Sequence, residues 1–407
     1  MVPAVAAPGR WLPLLGPAFV ASVAYVDPGN FASNFAGGAQ YGYRFVWVIV
    51  MANLMAILVQ YCAAKVGLAT GRSLPEVCRD RFGRRTRIVL WLQGELVAMA
   101  TDLAEFVGAA VGLNLLLGLP LLPAGLLTAV VAFAVLALQR GGHRRFEAAI
   151  AGLLLLVLGG FLFQVLAVGG QSAAGFAAGL VPRVAGADQA TLVVAIVGAT
   201  VMPHVVYLHS ALFKDRPAPH GEEQRRRFLR ANRLDVGLGL GAAGLVNLSM
   251  LCVAAALFFR PGLDLPGGLE DIHAFLGTAA GPAAAAAFAI ALTASGLASA
   301  SVGTYAGQVV MSGFLGLRIN LLLRRAVTMV PALAVLALAD DTATVLILSQ
   351  VVLSFGIPFA LVPLTLVTAD RRLMGSMANR RRTTLLMWAV TAVVAALNAY
   401  LIGAFIR

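Results

Sequence analysis

Eleven apolar stretches, each about the length that crosses a bilayer, set the first limit on this chain. They fall at 13–38, 45–69, 88–117, 122–139, 147–169, 189–213, 235–259, 273–313, 326–339, 343–368 and 383–405. The runs are continuous rather than alternating, which excludes a membrane β-barrel. Only 12% of the 407 residues are charged, against about 25% in soluble domains. The chain therefore reads as an all-α integral membrane protein with no sizeable soluble domain. The stretch at 273–313 is long for one span, and either extends into the cytoplasm or hides a turn near Gly281-Pro282.

The net charge of +12 invites a nucleic-acid partner, but its distribution rejects one. The N-terminal segment and every second connection, with Lys65 at the end of the second stretch, hold 26 of the 30 Lys and Arg. Only Arg44, Arg183, Arg260 and Arg407 fall on the other side. This asymmetry predicts a cytoplasmic N-terminus and an extracytoplasmic C-terminus. The basic connections, including a loop at Arg225-Arg226-Arg227, would face anionic lipid or solvent. Removing one span would scramble the alternation, so the charges support the count of eleven. Cys62, Cys78 and Cys252 have neither metal-ligand spacing nor the pattern of a disulfide framework. Met1 to Arg10 lacks a small-residue cleavage site, so no cleaved signal peptide is expected.

Two of the stretches are interrupted at mid-membrane. The first carries Asp27-Pro28-Gly29-Asn30 in an otherwise apolar run. A carboxylate there costs about 2.5–3.5 kcal/mol on insertion scales. Pro28 removes a backbone donor and Gly29 loosens the chain, so the helix unwinds. Irregular backbone at that depth is tolerated only where it lines a polar site. The sixth stretch carries Gly198-Ala199-Thr200-Val201-Met202-Pro203-His204. It enters from the opposite side, five spans later. Paired breaks of this kind mark an inverted-repeat transporter. Helices 1–5 (about 13–169) and 6–10 (about 189–368) would be the repeats of a single transmembrane domain. Helix 11 (about 383–405) would be an addition.

The residues at the breaks indicate the guest. Asp27 offers a charged oxygen, Asn30 a neutral one and Met202 a thioether sulfur, with freed carbonyls near Ala24 and Ala199. Hard cations want oxygen only. A thioether favours softer divalent ions such as Mn²⁺, Fe²⁺ or Cd²⁺. The metal would be cargo, and no cofactor is implied.

Asp27-Pro28-Gly29-Asn30 and Met202-Pro203-His204-Val205-Val206-Tyr207-Leu208-His209-Ser210 resemble the two signature motifs of the Nramp family. Thr101-Asp102-Leu103-Ala104-Glu105-Phe106 and Ser349-Gln350-Val351 are similar to that family as well. The resemblance covers essentially the whole chain and looks closest to bacterial eleven-helix manganese transporters. Val205 departs from it, where many relatives carry Asn. The resemblance implies a LeuT-type 5+5 inverted repeat with an additional eleventh helix, in a bacterial inner membrane. It implies proton-coupled import of Mn²⁺ and Fe²⁺. It also implies a metal site of Asp27, Asn30, Met202 and a carbonyl of Ala24 or Ala199, with Gln350 joining on occlusion.

Glu95, Asp102 and Glu105 lie near one face of the third helix. Intramembrane acids are proton-relay candidates, and relatives place their proton path here. Arg324 and Arg325 are the expected basic partners, and Asp27 is where metal and proton routes would meet. Glu95 can equally be an interfacial acid. His204 can move protons or hydrogen-bond the unwound backbone, whereas His209 is expected to pack structurally. A Na⁺-coupled small-solute carrier on the same fold is the alternative reading, disfavoured by Met202. An intramembrane enzyme is disfavoured because no H-E-x-x-H occurs. A passive channel would neither saturate at low metal nor follow pH gradients. Divalent ions, protons and the bilayer are the expected partners, and no obligatory protein partner is evident.

Overall fold

A computed structural model describes residues 16–138, 143–214, 221–259, 268–317, 319–338 and 341–406. Arg10, Arg140, Arg216, His220, Arg260, Arg318 and Arg407 lie outside the described residues, as does the start of the first apolar stretch. The described residues contain helices and no strand. Eight helical stretches among them are long and apolar enough to cross a membrane.

The first apolar stretch is two helices, α1 (Pro17–Ala24) and α2 (Pro28–Tyr41). α3 (Val46–Thr70) follows, then a short α4 (Leu74–Arg81) and the long α5 (Arg84–Leu117). α6 (Leu121–Leu138), α7 (His143–Val168) and the short α8 (Ala173–Gly179) complete the first half. The sixth stretch is also divided, into α9 (Gly186–Thr200) and α10 (Pro203–Lys214). α11 (Gly221–Phe258), α12 (Leu269–Ala280), α13 (Pro282–Leu315), α14 (Leu321–Leu338) and α15 (Thr342–Ala369) make the second half. A one-turn α16 (Arg371–Met374) leads to α17 (Arg381–Ile406). Every apolar stretch thus corresponds to a helix or a helix pair.

Two expectations are refined. The long stretch at 273–313 does turn at Gly281, whose φ of 92° is open to glycine and strained for other residues. The Arg225-Arg226-Arg227 run is a helix rather than a loop, because α11 begins at Gly221. Glu222 and Glu223 lie in its first turn, where the helix dipole favours acids. They pair with the arginines one turn on, Arg226 with Glu222 at 3.0 Å and Arg227 with Glu223 at 2.5 Å.

Long-range contacts place the breaks inside the bundle. α13 packs along α5, α11 along α2 and α3, and α15 against α9 and α5. Asp235 of α11 accepts the N–H groups of Gly16 and Ala18, both at 3.0 Å, so the start of α1 is capped from a distant helix. Phe31 of α2 stacks edge-on with Phe161 of α7 and Phe288 of α13, at 5.1 and 5.8 Å between centroids. α17 packs on α15 and α9 and leaves Leu385, Leu386 and Val393 exposed.

The arginine-rich end is tied together across elements. Ser73 and Glu76 form a capping box that starts α4. Lys214 reaches Glu76 at 2.9 Å, and the Leu74 N–H donates to Ser210 Oγ at 2.8 Å. Arg81 pairs with Asp370 at 2.6 Å, and Lys65 with Asn379 at 2.6 Å. Partial burial pushes the Glu76 carboxyl up, but the Lys214 and Ser73 hydrogen bonds outweigh it and hold the group below the usual carboxylate range. A depressed carboxylate contributes stability above its unfolded pKa and loses it as pH falls through the folded one. Acidification below the ordinary glutamate range is therefore expected to weaken this tie. For so exposed a pair the loss is about 1 kcal/mol or less. Thermal unfolding of wild type and Glu76→Gln against pH checks this, and the two curves should converge in acid.

Candidate metal and proton site

At the first break Asp27 is the N-cap of α2. Its Oδ1 accepts the Asn30 N–H at 2.8 Å, and Asn30 Oδ1 accepts the Asp27 N–H at 3.3 Å. Pro28 fits at the first helical position, where no intrahelical donor is required. This reciprocal cap stops the chain from continuing as one helix and fixes both side chains. It leaves Asp27 Oδ2 buried with no hydrogen-bond partner among the described residues. Asn30 Oδ1 still has a second lone pair. Both residues are fully buried.

At the second break α9 ends at Thr200 and α10 starts at Pro203, with Val201 and Met202 between them. Met202 is fully buried. The positions of the two prolines explain which carbonyls come free. A helical carbonyl accepts from the N–H four residues on. Pro28 is that residue for Ala24, and Pro203 is that residue for Ala199. Proline has no N–H, so each proline orphans one carbonyl in a place without solvent.

Gln350 of α15 joins the two breaks. A Cβ at Gly29 would land on its carboxamide, and a Cβ at Gly198 would land on its backbone carbonyl. Only glycine lets α2 and α9 approach α15 so closely. Gln350 is buried, and its Oε1 has no partner among the described residues. Carboxylate, amide, thioether and carbonyl donors are thus arranged about two helix interruptions. No group of three or more His, Cys, Asp and Glu gathers among the described residues. Gly198→Ala should push α15 off α9 and lower stability by about 1–3 kcal/mol, read as a fall in thermal unfolding temperature.

The acids of α5 run down from this level. Gly108 packs directly on Pro28, which sets Glu105 within a turn of the first break. Glu105 is fully buried, and neither carboxylate oxygen has a hydrogen bond among the described residues. Gly303 of α13 lies against Glu105 and Asp102, and Gly307 lies against the Arg324 guanidinium. Asp102 pairs with Arg325 at 3.3 Å, both buried. Glu95 holds Arg324 through two bonds, at 2.7 and 3.1 Å. His204 Nδ1 lies 3.3 Å from Thr101 Oγ1, beside Asp102 on α5. His209 instead faces Gln60 at 2.9 Å, and Gln60 Nε2 donates to the Tyr25 hydroxyl.

Residues 18–404 match the family described as natural resistance-associated macrophage protein-like, Nramp. The chain belongs to the Nramp family. A divalent metal cation transporter, MntH, of Deinococcus radiodurans is 51% identical over 393 residues, covering 97% of this chain and 90% of that protein. The Bacillus subtilis MntH is 46% identical, covering 96% and 92%. The crystal structure of a point mutant of an Eremococcus coleocola manganese transporter superposes with a TM-score of 0.86 at 30% identity, covering 98% of this chain and 88% of that one. MhsT in complex with L-phenylalanine superposes at 0.64 with 13% identity, a likeness of fold alone. The Nramp chain described here is therefore an all-α membrane protein of the LeuT-type 5+5 fold with an eleventh helix.

Three residues at the first break went unnamed in the sequence reading: Gln60, Asn247 and Ser295. Asn247 carries a signal as the lone amide of its apolar run, and Gln60 a weaker one, since Asn53 shares its run. Ser295 carries none, being one of several small polar residues in α13.

Proposed function

We propose that this Nramp chain is a secondary transporter importing divalent transition-metal ions, Mn²⁺, Fe²⁺ and Cd²⁺, across the plasma membrane, linked to protons. One observation carries the reading. Gln350 packs against both helix breaks, and beside it Asp27 Oδ2 and its own Oε1 are buried without a hydrogen-bond partner among the described residues. Leaving a buried carboxylate oxygen unbonded costs several kcal/mol unless something cationic completes it. Met202 at the second break favours a sulfur-tolerant ion over a hard one. The relatives named for divalent metal cations and manganese support the same class.

The proposed ligands are Asp27, Asn30, Met202, the Ala24 or Ala199 carbonyl, and Gln350. The proposed proton route runs from Asp27 through Glu105 and Asp102 to Arg325, and on to Arg324 and Glu95, with His204 beside it. The two repeats would be about 13–169 and 189–368. The arginine-rich end would be cytoplasmic, with the N-terminus inside and the C-terminus outside. An inward-negative potential releases about 2.3 kcal/mol per charge per 100 mV, so a divalent ion gains twice that. Protons add drive or neutralise Asp27.

The proton half is tested by Mn²⁺ uptake into proteoliposomes with and without an acid-outside gradient. Wild type should be stimulated by the gradient. Asp102→Asn and Glu105→Gln should keep potential-driven uptake and lose most of that stimulation. A gradient response equal to wild type in both variants would remove these acids from the proton route.

A further inference from the structure

The first break deprives more than one carbonyl of its helical donor. Ala24 would need an N–H from Pro28, which has none. Tyr25 and Val26 would need Gly29 and Asn30 in a continuous helix. The Asn30 N–H is instead bonded to the Asp27 carbonyl at 2.9 Å and the Asp27 carboxylate at 2.8 Å. Side chains from two other helices take up part of the deficit. Asn247 of α11 donates from Nδ2 to the Tyr25 carbonyl at 2.9 Å. Ser295 of α13 donates to the Val26 carbonyl. No described residue bonds the Ala24 carbonyl. Asn247 and Ser295 are both 1% exposed. The Asn247 amide is itself locked, because its Oδ1 accepts from Asn34 Nδ2 at 2.9 Å.

We propose that Asn247 and Ser295 are specificity-determining positioning residues of the ion site: by tying the carbonyls of Tyr25 and Val26 to α11 and α13, they leave that of Ala24 as the backbone oxygen at the first break that no described residue holds back from an ion. The proposal rests on the divalent-metal reading above. Its consequence is the number of oxygen ligands. Ca²⁺ takes about six to eight oxygens. Asp27, Asn30, Gln350 and the Ala24 or Ala199 carbonyl give fewer than that at one oxygen each. A hard ion is then short of ligands, whereas an ion that accepts the Met202 sulfur is not. Releasing Tyr25 and Val26 would bring the oxygens into the Ca²⁺ range and make the sulfur dispensable. The two donors come from helices outside the broken pair, so they act by holding backbone and touch no ion.

The test is uptake of Mn²⁺ and of Ca²⁺, measured separately, by the full chain in proteoliposomes. Ser295→Ala and Asn247→Ala remove the donors, and Ser295→Thr keeps the hydroxyl. The Ca²⁺-to-Mn²⁺ ratio of apparent KM-limited uptake should rise about tenfold in the two alanine variants. It should stay at the wild-type value in Ser295→Thr. A purely structural role would lower both ions together and leave the ratio unmoved, and that result overturns the proposal. A shift in Ser295→Thr equal to that in Ser295→Ala overturns it too, since the donor is then not the cause. If Asn247→Ala does not fold, the Ser295 pair decides. Wild-type protein that moves no Mn²⁺ would instead overturn the divalent-metal reading itself, so the two failures are distinguishable.

Discussion

Asp27→Ala is expected to lower Mn²⁺ uptake at least about 100-fold. Asp27 does two things at the first break, and their magnitudes differ. As N-cap of α2 it is worth about 1 kcal/mol. As a buried carboxylate beside the proposed divalent ion it would be worth more. Unit charges about 4 Å apart interact by about 4 kcal/mol at the effective dielectric of a protein site, and the ion carries two. Desolvation consumes much of that, yet about 3 kcal/mol surviving is already a factor of about 100. Asp27→Asn separates the roles, because asparagine caps nearly as well but carries no charge. We expect Asp27→Asn to unfold like wild type and transport like Asp27→Ala. Transport near wild type in Asp27→Asn would mean that the cap, not the charge, is what matters.

Met202→Ala is expected to cost selectivity more than uptake. The thioether is the one donor in the set that a hard cation cannot use well. Removing it should cut the preference for Mn²⁺ over Ca²⁺ and Mg²⁺ about tenfold, while Mn²⁺ uptake falls less. Met202 is fully buried, so truncation also leaves a cavity costing about 2–5 kcal/mol in stability. Met202→Leu conserves most of the volume and removes the sulfur. Both variants should show the same loss of selectivity, measured by Mn²⁺ uptake in the presence of excess Ca²⁺. Unchanged selectivity in Met202→Leu would sink the argument from sulfur.

The span positions were legible because lipid forces a long apolar run on every helix that crosses it. The breaks were legible because Pro28 and Pro203 fall where an uninterrupted helix was otherwise expected. Their place at those breaks is what makes Asp27, Asn30 and Met202 the proposed ligands, and all three are buried there. The start of α11 was missed for a converse reason. Its first turns, around Glu222 to Arg227, are polar on all sides, so hydropathy does not register them. What stabilises them is i,i+4 ion pairing, a pattern of charge rather than apolarity.

The support of the site was least legible. Asn247 lies more than two hundred residues from Tyr25, and Asp235 equally far from Ala18. Nothing local to α1 says that its ends are held from α11. The pairing of Glu95 with Arg324 and of Asp102 with Arg325 shows how far such reasoning reaches. Opposite charges buried in one membrane protein must find each other, so the partners were foreseeable. The order of pairing was not, since it depends on the packing of α5, α13 and α14.

The most direct test of the central claim is uptake of Mn²⁺ by wild-type protein in proteoliposomes under an inward-negative potential, with Mg²⁺ in excess outside. Two breaks that together form a sulfur-containing ion site should give uptake that saturates with Mn²⁺, resists Mg²⁺ and rises when the outside is acidified. Uptake no greater than that of protein-free liposomes, or abolished by the Mg²⁺ excess, would contradict it.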